Sequence, residues 1–362
     1  MSTDLRLPAE WEPQSAILIA WPHADTDWAE RLGEVERTYV DLACAIARFQ
    51  TVVICVADAR LRAHAHRLLA TAGINESRLR FVEVAYDDTW LRDTGPITLR
   101  DDSRFVLDDF RFTGWGGKFE ASRDDELVES LVARGLFQNA EHRRIEWALE
   151  GGAIESDGRG SILTTWRCLG LRHSGQSRAQ IDATLNESLS ADRVLWLDHG
   201  YLEGDDTDAH IDTLARFAPN DAIVFQACDD PDDSHYAELA KMRDEIAALR
   251  TADGQPYRLH PLPWPQAIFD RVPEAGEEDA AADAVAPRRL AASYANYLII
   301  NGAVLVPAYG DAADADAARI IGTAHPGREV VPIPCRPLIW QNGSLHCLTM
   351  QLPAGVLVQT TS

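Results

Sequence analysis

The chain has 362 residues, 46% of them hydrophobic, and a formal net charge of −23 at pH 7. That is enough apolar surface for a sizeable core in one large domain or two ordinary ones. The acidic balance argues against a nucleic-acid binder, which needs clustered Lys and Arg against phosphate, and favours cationic partners.

The opening Met1-Ser-Thr-Asp-Leu-Arg-Leu-Pro-Ala-Glu10 carries acids and a proline where a signal peptide would have a basic start and an apolar run. Short apolar runs then alternate with helical stretches. Strands are predicted over Ala16–Ala20, Thr51–Val56, Leu79–Val84, Arg104–Leu107, Ser161–Thr165 and Arg193–Leu197. Further strands are predicted over Ala222–Ala227, Tyr257–Leu262, Asn296–Ile300, Ala303–Val306, Glu329–Ile333 and Ser344–Met350. Helices are predicted over Trp28–Phe49, Ala59–Thr71, Arg123–Arg134, Ser177–Leu189, Ser234–Leu249 and Ala312–Thr323. Ser177 and Ser234 serve as the entry residues of two of these.

Pro273–Pro287, rich in acids and alanine and bracketed by prolines, reads as an exposed loop or frayed helix inserted between structured parts. No apolar run approaches the roughly 18 to 20 residues needed to cross a bilayer. The cysteines Cys44, Cys55, Cys168, Cys228, Cys335 and Cys347 are sparse and lack CxxC pairs. A disulfide framework and a structural zinc site are therefore not expected, and the chain reads as a reduced, cytoplasmic protein with no cofactor.

Four segments carry chemistry. Trp90-Leu-Arg-Asp93 runs into a Thr-Gly-Pro96 turn, so Asp93 is expected where a strand-like run stops. Glu150 precedes Gly151-Gly152, where the backbone can approach a neighbour closely; a bulge with a solvated Glu is the plain alternative. In His210-Ile-Asp212 an extended backbone would put imidazole and carboxylate on one face. Cys347, near a strand start after the Asn342-Gly343 turn, is either inert core or a nucleophile. A His-x-Asp iron site would need a distant second histidine, and the acidic run lacks calcium-loop spacing.

Their spacing is regular. Asp93 to Glu150 is 57 residues, Glu150 to His210 is 60, and Asp212 to Cys347 is 135, close to a double step. Such steps suggest one supersecondary unit repeated about a central axis. Together the residues suit attack on a planar guanidinium. Two acids would grip its nitrogens, a thiolate would face its carbon, and an imidazole oriented by a further acid would shuttle protons. Asp93, Asp212, Cys347, His210 and Glu150 fill those roles without a metal.

With these residues in place, the chain resembles the agmatine deiminase and bacterial peptidylarginine-deiminase-like family of the guanidino-group-modifying superfamily. The matching pieces are Pro8-Ala-Glu-Trp-Glu-Pro13 with Ala20-Trp-Pro22, Thr89–Pro96, Phe112-Thr-Gly-Trp-Gly-Gly117, Glu150–Gly152, Gly204–Asp212 and Gly343–Cys347. They run in family order along the whole chain. The resemblance implies a single α/β catalytic domain over residues 1–362, a five-bladed α/β propeller of ββαβ units around a central site. It implies hydrolysis of agmatine to N-carbamoylputrescine and ammonia through a thiouronium on Cys347. His210 would act as acid and then base beside Glu150, with Asp93 and Asp212 as the guanidinium clamp. Trp90 and Trp115 would wall the cavity, Asp206 would hold the far amine, and the family suggests a homodimer.

Two departures bear on substrate. Asp208-Ala209 stands where the family commonly has Asn-Gly or Asp-Gly, and Gln341-Asn342-Gly343 replaces a glycine-rich stretch. An amine-ended substrate fits the acidic Asp205–Asp208 and the lack of an arginine evidently placed for a carboxylate. Deimination of peptidyl-arginine is the alternative within the superfamily. A silent binder of cationic guanidinium ligands is the alternative outside catalysis, although binding alone needs no thiol.

Overall fold

The computed structural model describes residues 5–270 and 287–358, so residues 273–286 of the acidic segment lie outside the described residues. Among the described residues the strands form five small sheets. Each has one inner strand that is antiparallel to one neighbour and parallel to the next.

The repeating unit is two strands, a helical crossover and a third strand. One unit holds β4 (Ile97–Arg100), β5 (Phe105–Arg111) and β6 (Ala140–Ala148); the next holds β7 (Ile154–Ser156), β8 (Ser161–Thr165) and β9 (Arg193–Leu197). Then come β10 (Ala215–Ala218), β11 (Ala222–Gln226) and β12 (Arg258–Leu262), followed by β13 (Leu298–Ile300), β14 (Ala303–Ala308) and β15 (Glu329–Pro334). The remaining unit joins both ends of the fold. Here β16 (Met350–Pro353) pairs antiparallel with β1 (Gln14–Ala20), which runs parallel to β2 (Thr51–Val56) and through it reaches β3 (Leu79–Glu83). This is the ββαβ repeat expected for the fold class.

The crossovers follow from helical patterning. In the helix Leu32–Ala47, Val35, Tyr39, Leu42 and Ile46 fall on one face and are fully buried. Burial of each such side chain contributes about 1.5–3 kcal/mol. The helix Arg178–Leu189 starts at a capping box made by Ser177 and Gln180, as its sequence foretells. Ser234 does not open its helix; the chain makes one more turn and the helix runs from Tyr236 to Ala248. No helix among the described residues is long and apolar enough to cross a membrane.

What positions the chemistry is the entry to each unit. A single helical turn precedes the first strand in four of the five: Leu91–Thr94 before β4, Gly151–Ala153 before β7, Ile211–Thr213 before β10, and His346–Leu348 before β16. In the fifth, a turn at Tyr294-Ala295 precedes Asn296 and β13. These short turns correct two expectations. The strand predicted over Ser344–Met350 begins only at Met350, and His210–Asp212 is not extended, because each segment must leave its sheet sharply to reach the centre.

Candidate active site

Cys347 lies in the turn before β16 and is 5% exposed, its thiol facing a cavity. Its Sγ is 3.4 Å from Asn296 Oδ1 and 3.7 Å from Asp212 Oδ2. Asn296 also accepts the His346 backbone N–H at 2.9 Å, which fixes the turn carrying the thiol. Burial, and then the carboxylates Asp212 and Asp93, push the thiol well above its ordinary pKa.

Asp93 is buried rather than paired at the surface. Its Oδ1 accepts the Gly152 N–H at 2.9 Å and its Oδ2 accepts the Trp115 indole N–H at 2.9 Å. Trp115 reaches that position from a left-handed backbone (φ 55°) among glycines of the same sign, a conformation costly for a bulky residue. Burial raises the pKa of Asp93, and Asp212 adds to the rise. Gly152 shows how tightly the groups converge. A Cβ there would lie 2.6 Å from His210 Nδ1, 2.7 Å from Asp93 Oδ1 and 3.3 Å from Asp212 Oδ2.

His210 is 1% exposed, with Nδ1 3.6 Å from Asp93 Oδ1 and Nε2 3.9 Å from Glu150 Oε2. Burial alone would lower its pKa. Asp93, Cys168 and Glu150 outweigh that and hold the imidazole well above its ordinary value. Glu150 is buried too, its Oε1 accepting Arg172 Nε at 2.6 Å. Cys168 is fully buried beside this pair, its sulfur, a Glu150 oxygen and a His210 nitrogen lying within 4.8 Å of one another. The backbone before His210 is held left-handed at Asp208 (φ 67°) and Ala209 (φ 70°). Alanine takes this conformation at a cost of roughly 1 kcal/mol, which glycine would not incur.

Beneath the thiol runs a buried polar network that sequence reading missed. His346 bridges Asp212 Oδ2 (2.8 Å from Nδ1) and Glu10 Oε2 (2.7 Å from Nε2). Glu10 also accepts from Arg216 Nη2 at 2.8 Å and from the Ile299 backbone N–H at 2.7 Å. Although burial pushes Asp212 up, the His346 contact holds it below the usual carboxylate range. Asn296, Arg172 and Cys168 had no motif to announce them, while His346 stands inside the Gly343–Cys347 piece without having been given a role. The signal for Asn296 was the double step in spacing, because the unit between His210 and Cys347 supplies it.

The cavity measures about 370 Å³, with Cys347 and Asp93 at its inner end and Trp90 and Trp115 in its wall. Trp90 packs against Gly343, where a Cβ would fall 2.2 Å from its ring. Asp206 lines the cavity and accepts from Asn342 Nδ2 at 2.8 Å; burial raises its pKa. Asp25, Asp27, Asp88 and Asp124 add further carboxylates to the lining. One arginine, unforeseen from the sequence, also lines it. Arg288 donates to Asn342 Oδ1 and to the Trp340 carbonyl and lies 3.7 Å from Asp270.

Every residue singled out from the sequence is thus found in or directly beneath one site. The comparisons with known proteins agree in extent. Residues 6–353 match the family profile described as Porphyromonas-type peptidyl-arginine deiminase. The agmatine deiminase of Pseudomonas putida KT2440 is 36% identical over 97% of this chain and 96% of its own, and that of Stutzerimonas stutzeri is 34% identical over 96% and 95%. Among solved structures, the C. jejuni agmatine deiminase, in a cysteine-to-serine form with substrate bound, is 30% identical with a TM-score of 0.84 over 96% of each chain. A Porphyromonas gingivalis structure described as a candidate arginine deiminase is 46% identical, with a TM-score of 0.87 over 98% of this chain and 99% of its own.

Proposed function

The chain belongs to the Porphyromonas-type peptidyl-arginine deiminase family, and on that premise we propose that it is an agmatine deiminase, acting as a single catalytic domain with Cys347 as nucleophile. The observation that carries this reading is a carboxylate-lined cavity ending at a buried thiol flanked by Asp93 and Asp212. A planar guanidinium fits between two such acids, with its central carbon presented to the sulfur. The amine at the other end of agmatine suits Asp206 and the acids of the outer lining.

Proton and charge movements follow from the environment. The carboxylates that oppose ionisation of Cys347 are the ones a guanidinium would neutralise, so the substrate itself favours the thiolate. Attack at the guanidinium carbon forms the S–C bond. His210, held in its protonated form, gives its proton to the departing amino group, and ammonia leaves. The C–N bond is thereby exchanged for a thiouronium. His210, now neutral, takes a proton from water as the oxygen adds to the same carbon. Collapse expels the thiolate, the remaining hydroxyl proton passes to solvent, and N-carbamoylputrescine is left. Glu150, restrained by Arg172, keeps the imidazole oriented throughout.

Deimination of peptidyl-arginine is the second reading, supported by the family's description; Arg288, whose guanidinium could meet a carboxylate, serves it only for an arginine at a peptide's C-terminus. Its donors are already engaged by Asn342 and the Trp340 carbonyl, and the acids around it outnumber it. The agmatine reading also carries a cytoplasmic location and a homodimer. Steady-state ammonia release from agmatine, free arginine and arginyl peptides tests the substrate assignment, with agmatine expected to give the highest kcat/KM. A preference for either arginine form overturns it. Cys347→Ala should abolish release while retaining agmatine binding.

A further inference from the structure

Glu150 and His210 each have a buried polar atom that no hydrogen bond satisfies. Among the described residues, Glu150 spends Oε1 on Arg172 and leaves Oε2 unpartnered, and neither ring nitrogen of His210 has a hydrogen-bond partner. Leaving such atoms dry and unpaired destabilises the fold, so a site that keeps them open points to something that fills it. The third member is Cys168, whose backbone N–H is capped by Thr165 Oγ1 at 3.3 Å, so its sulfur is placed by a helix start rather than a mobile loop. All three side chains are at most 1% exposed.

Sulfur, imidazole nitrogen and carboxylate oxygen are the donors that thiophilic divalent cations prefer. Bonds of about 2.0–2.3 Å place tetrahedral ligand atoms roughly 3.3–3.8 Å apart. Atoms that already lie within 4.8 Å of one another need close by only about 1 Å. Two anionic ligands, Glu150 and a Cys168 thiolate, would balance the charge of the ion, and the Cys168 thiol and the protonated His210 would each lose a proton to solvent as their bonds to it form. The route in is the cavity itself, because Asp93 lines it and lies 3.6 Å from His210.

We propose that Glu150, Cys168 and His210 form an inhibitory site for a zinc-like divalent cation, which stops turnover by occupying the imidazole. The nucleophile Cys347 is not a ligand. The site does not depend on which guanidinium compound is the substrate, and its test does not depend on turnover.

Chelator-treated protein is titrated with Co²⁺ and followed for the thiolate-to-cobalt band in the near ultraviolet. One cobalt per chain, with the band present in wild type and in Cys347→Ser but absent in Cys168→Ser, is the expected result. Zn²⁺ should displace the cobalt, and affinity should fall by at least about tenfold in Cys168→Ser. Should Cys168→Ser fail to fold, Glu150→Gln must weaken cobalt binding by a similar factor. The proposal is overturned if wild type takes up no cobalt, if the band survives loss of Cys168, or if it vanishes in Cys347→Ser.

Discussion

The Arg172 guanidinium donates through Nε to Glu150 at 2.6 Å and through Nη1 to Asp208 at 2.6 Å, with the Arg172 and Glu150 side chains almost wholly buried. One cation thus fixes the acid beside His210 and the loop that leads into it. Removing one partner of a buried pair leaves uncompensated charge, which costs more than the pair's net contribution. Arg172→Met should destabilise the fold by about 3 kcal/mol in denaturant unfolding. Arg172→Lys should recover part of this but not the two-armed geometry. A loss below about 1 kcal/mol for the methionine variant would contradict the assignment.

Gly152 supplies a steric prediction. Its backbone needs no positive φ, so alanine meets no conformational penalty there, yet its Cβ would press on His210, Asp93 and Asp212 together. Gly152→Ala should lower kcat/KM by about 100-fold, the effect of displacing reacting groups by an ångström. Circular dichroism should show an intact fold. Normal turnover would mean that these three groups need not converge.

The thiol environment predicts a reversal between reactivity and catalysis. Removing the Asp212 charge takes away the strongest carboxylate opposing ionisation of Cys347, so the thiol pKa falls. Asp212→Asn should therefore react with iodoacetamide several-fold faster at pH 8 than wild type, although it loses a clamp residue and turns over poorly. Equal or slower alkylation would show that burial alone governs the thiol.

Two carboxylates of the cavity lining carry a stability signature. Burial pushes Asp88 up to about 7 and Asp124 up to about 8, against about 3.9 for an unfolded aspartate. Between these limits the folded chain binds more protons than the unfolded one, so stability falls as pH rises from about 4 towards 8. The thermal midpoint should be higher at pH 5.5 than at pH 8. Asp124→Asn keeps an acceptor for the Asp87 and Asp88 N–H groups and removes the titration. The difference between the two pH values should shrink in that variant; an unchanged difference would place its origin elsewhere on the acidic surface.

Much of the repeat was legible because buried parallel strands read as unbroken apolar runs, as in Ala16–Ala20 and Thr51–Val56. The short strands β4, β7 and β10 were not, since three or four residues carry no periodicity. The same brevity hid the helical turns that carry the chemistry, so Cys347 was expected on a strand and His210 in extended backbone. Residue types at the site survived that error, because Asp93, Glu150, His210, Asp212 and Cys347 stand in motifs whose glycines and prolines mark them. Arg172 and Asn296 do not. Each is ordinary in its local sequence and gains meaning only from a partner many residues away.

The pairing of β16 with β1 has a bearing on how the protein comes to exist in a cell. Cys347 sits immediately ahead of β16, and His346 is held by Glu10 from the segment that leads into β1. While a ribosome is still making the chain, the early strands have an unpaired edge and the thiol has no setting. Arming of the nucleophile and closure of the ring are therefore one event, and a fragment that stops short of β16 lacks both.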